Sequence, residues 1–480
     1  MLRRESALAL SFVALLLAGC AAPGAGVEPA ASLLPPLALG GIVAMEQPTG
    51  GAEPNIAILP DGTIFITAVA GSQERPNHAT GAAWLWRSTD GGATWETLRA
   101  PVRETPLGSV PGTRRPFGSS DADVVASPDG WVYYSDWWNW GAPVTWPVAP
   151  PVGVPVSPFA RYGSYLVERS SDGGLTWEST PITTLDSLGG IDRQWLVAGE
   201  NGWVALFYAY FHGANPTRPA DLASGIGALS SIMAVYSTDH GATWSDPRPV
   251  VGPTREGFSQ IAHPDLVDGL LWMPHGYTPD GPTYWTDPSE VRVALSTDLG
   301  ATWTDVKVAD VPGGFDNLWA VQGDAEPDGT LHVAWAARTG DTMTVFHSES
   351  RDRGATWSEP EVVRSAGTNF LPWVAAKAGE VAVSWYGSDA AGDPSEAPED
   401  TQWRLYVAVR RDGAWSIATT PDPVKVGPMC AKGASCAGER ELLDYAGIAY
   451  GPDGTLHTSF ATSREVAGVK AGLVHYAPLR

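Results

Sequence analysis

The stretch S-T-D-G-G-A-T-W at Ser88–Trp95 returns four times. It reads S-S-D-G-G-L-T-W at Ser170–Trp177, S-T-D-H-G-A-T-W at Ser237–Trp244, S-T-D-L-G-A-T-W at Ser296–Trp303 and S-R-D-R-G-A-T-W at Ser350–Trp357. A shortened copy, R-D-G-A-W, ends at Trp415. Each full copy follows an alternating apolar run, such as Ala83–Arg87, Met233–Tyr236 or Val291–Leu295, so the pattern predicts a hairpin turn between two strands. Its chemistry suits a tight turn. The Asp carboxylate accepts backbone N–H groups, the Gly supplies positive φ, and Thr-Trp restarts a strand with a large ring to bury.

A second repeat lies between these copies, a turn centred on Asp-Gly or a close variant with an apolar strand on either side. It occurs at Pro60–Gly62, Pro128–Gly130, Glu200–Gly202, Val267–Gly269, Pro327–Gly329, Lys377–Gly379 and Pro452–Gly454. Each unit therefore reads as strand A, Asp-Gly turn, strand B, variable loop, strand C, eight-residue turn, strand D. No helical period of comparable length interrupts the series. Four strands per unit predict an all-β chain, a seven-bladed β-propeller of four-stranded antiparallel blades, with six blades as the alternative. The seventh unit lacks a strand D, and the apolar run Gly41–Met45 is the natural replacement. Pairing it with the last unit closes the ring and removes an exposed sheet edge.

The motif S-x-D-x-G-x-T-W resembles the Asp-box, or BNR repeat, of sialidase-like β-propellers. The segments E-P-N-I-A-I (Glu53–Ile58), I-D-R-Q-W-L-V (Ile191–Val197) and L-D-Y-A-G-I-A-Y-G-P-D-G (Leu443–Gly454) are similar to inner strands of bacterial secreted BNR-repeat proteins, a group largely without an assigned activity. The resemblance implies that the boxes lie on the rim away from the ligand face, so Asp90, Asp172, Asp239, Asp298 and Asp352 are structural. Sialidases use a Tyr nucleophile with a Glu partner, three arginines for the substrate carboxylate and an Asp acid/base. Their first inner strand opens with Phe/Tyr-Arg-Ile-Pro. Here the matching stretch is A-E-P-N-I-A-I-L at Ala52–Leu59, with Glu53 near the place of the first arginine and no R-I-P anywhere. Both that departure and the seventh blade weigh against catalysis of the sialidase kind.

At the N-terminus, Arg3 and Arg4 precede the apolar run Ala7–Ala18, too short for a mature membrane-spanning helix, which ends in L-A-G-C at Leu17–Cys20. This resembles a lipobox. It implies a lipoprotein signal peptide over 1–19, lipidation of Cys20, a flexible tether over 20–39 and the propeller over 40–480. The expected location is extracytoplasmic, lipid-anchored to the cell envelope. A net charge of −23 argues against nucleic acid or anionic lipid as a partner, leaving membrane contact to the lipid on Cys20. Outside the cytoplasm Cys430 and Cys436 can close a small disulfide loop. No cofactor motif occurs. The acidic channel rim leaves room for calcium, although no loop carries a calcium pattern.

The repeat also sorts the loops. A–B and C–D turns share one face, so the long B–C and D–A loops share the other, where binding sites gather over a rigid scaffold. The leading residues of the A strands should rim that face: Glu53, Asp121 with Asp123, Asp192 with Arg193, Gln260 with His263, Asp316 with Asn317, Asn369, and Asp444 with Tyr445. Arg338 and Arg464 follow B strands on the same side, and arginine forks suit an acidic sugar. Trp137, Trp138 and Trp140 fall in the longest B–C insertion, from Asp136 to about Tyr162, where rings can stack on sugars. Two readings follow. One is a module that binds an extracellular glycan or protein on this face. The other is a glycoside hydrolase, with Tyr445 as nucleophile, Asp192, Asp444 or Glu441 as acid/base, and Arg193 and Arg464 holding the substrate.

Overall fold

The computed structural model describes residues 37–47, 50–70, 83–99, 117–139, 163–183, 190–212, 229–252, 258–279, 288–315, 320–430, 440–442, 444–466 and 469–479. The strands form seven antiparallel sheets, one per repeat, and the only helical turn among the described residues is Pro394–Glu396. Blade 1 runs outward from the axis as Gly51–Ile58, Ile64–Ala70, Trp84–Ser88 and Glu96–Arg99. The inner strands of blades 2 to 6 are Phe117–Ala126, Gly190–Ala198, Phe258–Ile261 continued by Asp265–Val267, Val321–Ala325, and Thr368–Lys377. Blade 7 comprises Gly447–Tyr450, Leu456–Val466 and Val469–Leu479. Its fourth strand comes from the other end of the chain: Val43–Ala44 pairs with Tyr476 and His475, and Leu39 bridges Leu479. Seven blades closed by an N-terminal strand are thus what the repeat spelled out.

Some strands run further than their sequence pattern indicates. The second strand of blade 2 spans Val132–Asn139, so Asp136, Trp137 and Trp138 belong to the sheet rather than to the insertion. Aromatic residues fit a pleated, half-buried surface as well as a loop. In blade 4 the strand Leu270–Thr278 passes through Pro274. The proline is tolerated because its neighbour on the axis side is interrupted there: pairing jumps from Ile261 opposite His275 to Asp265 opposite Trp272.

The five boxes share one hydrogen-bond plan. In the first, Ser88 Oγ donates to Asp90 Oδ1 and accepts from Gly92 N, while Thr94 bonds the same carboxylate through N (2.9 Å) and Oγ1 (2.5 Å). The plan recurs around Asp172, Asp239, Asp298 and Asp352. The fifth residue is a glycine in every box, and in four of the five it lets the loop press on the preceding blade. A methyl group at Gly92 would overlap the Tyr476 ring of blade 7, at Gly174 it would meet Phe65, at Gly300 Tyr236 and at Gly354 Leu295. The boxes therefore join neighbouring blades at the turn face. Blade 7 has no box, and there a cleft of about 270 Å³ opens between blades 6 and 7, lined by Glu380, Val409, Arg411 and Asp453–Leu456, with Leu37 and Leu479.

Candidate functional site

Where the inner strands begin, four of them bulge, the blade 2 strand between Ser119 and Ala122 and three others in a shared way. The pairing skips between Ala52 and Asn55, between Asp192 and Gln194, and between Phe370 and Trp373. Each of these last three holds a non-glycine residue at positive φ: Glu53 (52°), Arg193 (46°) and Leu371 (57°). Left-handed backbone costs an ordinary residue about 1–2 kcal/mol, so tertiary contacts must compensate. For Glu53 and Arg193 the compensation is visible. The two side chains leave the strand alternation and meet at the axis, with Nη1 of Arg193 3.2 Å from Glu53 Oε2 and Nη2 donating to Asp444 Oδ2 at 2.7 Å. Asp121 accepts from the backbone N–H of Arg193 at 3.0 Å and lies 3.9 Å from its guanidinium. Arg440 completes the group by pairing with the other oxygen of Asp444.

All five residues are buried. Burial works against the Arg193 charge, but Asp121, Glu53 and Asp444 raise its pKa well above the ordinary value. Burial alone would also raise Asp444, yet Arg440 and Arg193 hold it at about 2. Glu53 goes the other way: desolvation pushes it well above 4.5 despite Arg193, with Asp444 and Asp121 adding to the rise. Three carboxyls face two guanidiniums, so a proton kept on Glu53 balances the charge and lets Glu53 hydrogen-bond Asp444.

Beneath this cluster lies an aromatic floor. Trp195, Trp373 and Tyr445 meet with ring centroids 5.0–5.4 Å apart, and His263 packs 5.2 Å from Trp195. The Arg193 guanidinium sits over Tyr445 at 5.4 Å and over Trp195 at 5.8 Å. Deeper still, carboxylates clasp one inner strand to the next. Asp123 accepts from Val124 N and, across the blade boundary, from Leu196 N at 2.6 Å. Asp324 repeats this with Ala325 N and Ala376 N, and Asp265 with Leu266 N and Ala325 N. Asn55 joins the row by donating to Asp123. These groups satisfy N–H donors at the channel wall that have no strand beside them.

The residues singled out from sequence fall into several places. Glu53, Asp121, Arg193, Asp444 and Tyr445 come together at the axis. Asp123 is fully buried in its clasp, and His263, about one-fifth exposed, lies 3.6 Å from it. Tyr445 is 1% exposed, its hydroxyl donates to the Ala122 carbonyl at 3.3 Å, and desolvation with Glu53 beside it pushes its pKa well above 10. Glu441 is spent on a wholly buried ion pair with Lys425 at 2.6 Å. Asn369, also wholly buried, donates to Met343 O and Ala366 O and accepts from Trp385 Nε1. Arg464 is exposed on blade 7 and Arg338 half-buried on blade 5, near strand ends. Asp192 lies on the blade 3 strand and Trp137 and Trp138 on a blade 2 strand, but their side chains are outside the described set. Asp316, Asn317, Trp140, Cys20 and Cys436 lie outside the described residues. Cys430 is buried and disulfide-bonded. Among the described residues no three His, Cys, Asp or Glu side chains are gathered as metal ligands. Sequence reasoning missed Arg440, which lies in an aperiodic segment, and the clasp residues Asn55, Asp265 and Asp324. Their signal is an Asp or Asn followed by an apolar residue, present on the inner strands of blades 1, 2, 4, 5 and 6.

Five Asp-boxes on a closed seven-bladed ring define an Asp-box β-propeller, and residues 195–384 match the family described as BNR repeat-like domain. A sialidase from Bacteroides fragilis is 25% identical over 222 residues, which is 46% of this chain and 37% of that protein. The aligned part thus spans well under half of that relative's length. Among solved structures, similarity extends to a Dyadobacter fermentans protein of unknown function, at 14% identity and TM-score 0.47 over 93% of this chain and 100% of that one. It also extends to the leech intramolecular trans-sialidase, at 11% identity and TM-score 0.46 over 92% and 93% of the two chains.

Proposed function

We propose that this protein is an extracytoplasmic module, anchored through a lipid on Cys20, that binds a glycan on its loop-rich face. The observation that carries the reading is the charge-balanced cluster of Glu53, Asp121, Arg193, Asp444 and Arg440 above the rings of Trp195, Trp373 and Tyr445. A rigid floor of paired charges is what a recognition site needs to hold its loops in place. Arg193 already engages three carboxyl groups, which favours recognition of hydroxyl-rich, neutral sugars over capture of a ligand carboxylate.

A second reading, glycoside hydrolysis, draws on the closeness of Glu53 to Tyr445, the pairing of residue types that the sialidase resemblance asks for. A nucleophilic tyrosine needs access and a lowered pKa, whereas this hydroxyl is buried and its pKa is raised. Binding is therefore the preferred reading. The test incubates the Cys20→Ser protein with sialylated and neutral glycans and follows released sugars and retained glycans by mass spectrometry. Binding predicts intact neutral glycans retained and weakened retention in His263→Ala. Free monosaccharide that disappears in Tyr445→Phe establishes the hydrolase instead. Neither retention nor release shifts the ligand class to protein.

A further inference from the structure

The path by which the chain enters the propeller bears on which face meets the outside. Leu37 lies in the cleft beside Asp453, Gly454 and Thr455, the Asp-Gly turn of blade 7. Leu39 then bridges Leu479, and Gly40 N donates to Pro478 O. Leu479 pairs with Leu456, which directly follows that turn, so this end of the strand is at the turn face. The chain next runs past Tyr476 and His475 until Met45 N donates to Val474 O. It has now travelled along the outer edge of blade 7 toward the loop-rich end, where it enters Gly51–Ile58 and reaches Glu53. Asp444 and Tyr445 stand just before Gly447–Tyr450, again at the end opposite the Pro452–Gly454 turn. The entry point and the charged cluster are thus on opposite faces.

We infer that an anchor on Cys20 holds the Asp-Gly turn face toward the membrane and presents the loop-rich face, with its candidate site, away from it. This rests on the anchoring proposed above. The length of the tether supports the orientation. Between Cys20 and Leu37 the chain spans about 60 Å at full extension and about 23 Å as a flexible coil. The strand Leu456–Val466, 11 residues long, gives the blade a height of about 36 Å. Turning the site to the bilayer would require the tether to climb that height and still pass beneath the rim. That climb takes more than half of the full extension and exceeds the coil distance of about 23 Å, whereas the turn-face-down arrangement lies within it. A net charge of −23 also disfavours close approach of the remaining surface to anionic lipid.

The experiment uses the full lipidated chain in vesicles of neutral and anionic phospholipid that carry an energy-transfer acceptor in the headgroup layer. Single donor labels are placed through Asp61→Cys and Asp328→Cys at exposed A–B turns, and through Thr339→Cys at the exposed B–C turn of blade 5. Transfer at least twofold stronger from both turn-face labels than from Thr339→Cys is expected. Equal transfer from all three, or stronger transfer from Thr339→Cys, overturns the orientation while leaving the anchor standing. Cys20→Ser should abolish vesicle association. Association that survives it overturns the anchor, and the orientation with it.

Discussion

Asp90 and Glu53 mark the two ends of blade 1 and are held in opposite ways. Asp90 stands fully exposed in its box, where hydrogen bonds from the Thr94 side chain and backbone, then Ser88, lower its pKa to about 2. Glu53 is buried at the channel mouth, where loss of water raises its pKa well above 4.5 and its only nearby counter-charges are shared with two other carboxyls. The box plan recurs five times with nearly the same distances, because every blade needs the same closed turn. At the mouth the blades do not repeat one another's geometry: Glu53 comes from blade 1, Asp121 from blade 2, Arg193 from blade 3, and Asp444 from just before blade 7. Repetition therefore marks what builds the ring, and departure from repetition marks where a ligand could be recognised.

The sharpest way to break this contrast is to remove Arg193. Arg193→Leu leaves Glu53, Asp121 and Asp444 buried around a missing guanidinium, with only Arg440 remaining as a counter-charge. Breaking a buried ion-pair network in this one-sided way costs about 3–5 kcal/mol, the largest loss anticipated for any single change here. Urea unfolding of the purified domain measures it. A loss below about 1 kcal/mol would mean that the cluster is solvated and that its charges do not hold the mouth together.

A smaller effect tests the other end. Gly91 and Gly92 are adjacent in the first box, and both have positive φ, at 69° and 88°. A methyl at Gly91 meets nothing, whereas at Gly92 it overlaps the Tyr476 ring of blade 7. Gly91→Ala should thus lose only the backbone preference, about 1–2 kcal/mol. Gly92→Ala should lose about 2–4 kcal/mol by adding the steric conflict across the ring closure. Equal losses in thermal unfolding would show that the boxes act within blades and do not join them.

How much of this could be read from residues alone follows from the same division. The boxes and the Asp-Gly turns are short-range devices whose donors and acceptors lie within a few positions, so they spell out blade number and closure. The inner-strand acids were legible as polar residues in an apolar ring, yet their tasks were not. Asp123 and Asn369 are committed to neighbouring strands, and Glu441 to Lys425, through partners that only the closed ring supplies. The bulges at Glu53 and Arg193 gave no local signal either, since positive φ usually announces itself through glycine. Trp195 and Trp373 lie on inner strands, but their union with Tyr445 under the charged cluster depends on blades 3, 6 and 7 meeting at one axis.

The smallest effects are the most discriminating, because the two carboxyls should respond to pH with opposite sign. Asp90 titrates lower in the folded protein than its ordinary 3.8, so its contribution is present above 3.8 and disappears as pH falls through about 2. Glu53 titrates higher when folded, so the native state binds the extra proton. Stability then declines as pH rises from 4.5 through the raised folded value. Asp90→Asn should accordingly match the parent near pH 2 and fall below it above pH 4. Glu53→Gln keeps a neutral donor for Asp444, so it should gain on the parent as pH rises above 4.5. Urea midpoints for the three proteins between pH 2 and 8 give two difference curves. Curves bending in opposite directions support separate roles for the two ends of the blade. Curves of the same sign would mean that Glu53 is ionised and paired like any box aspartate, and the charge balance assigned to the mouth would fail.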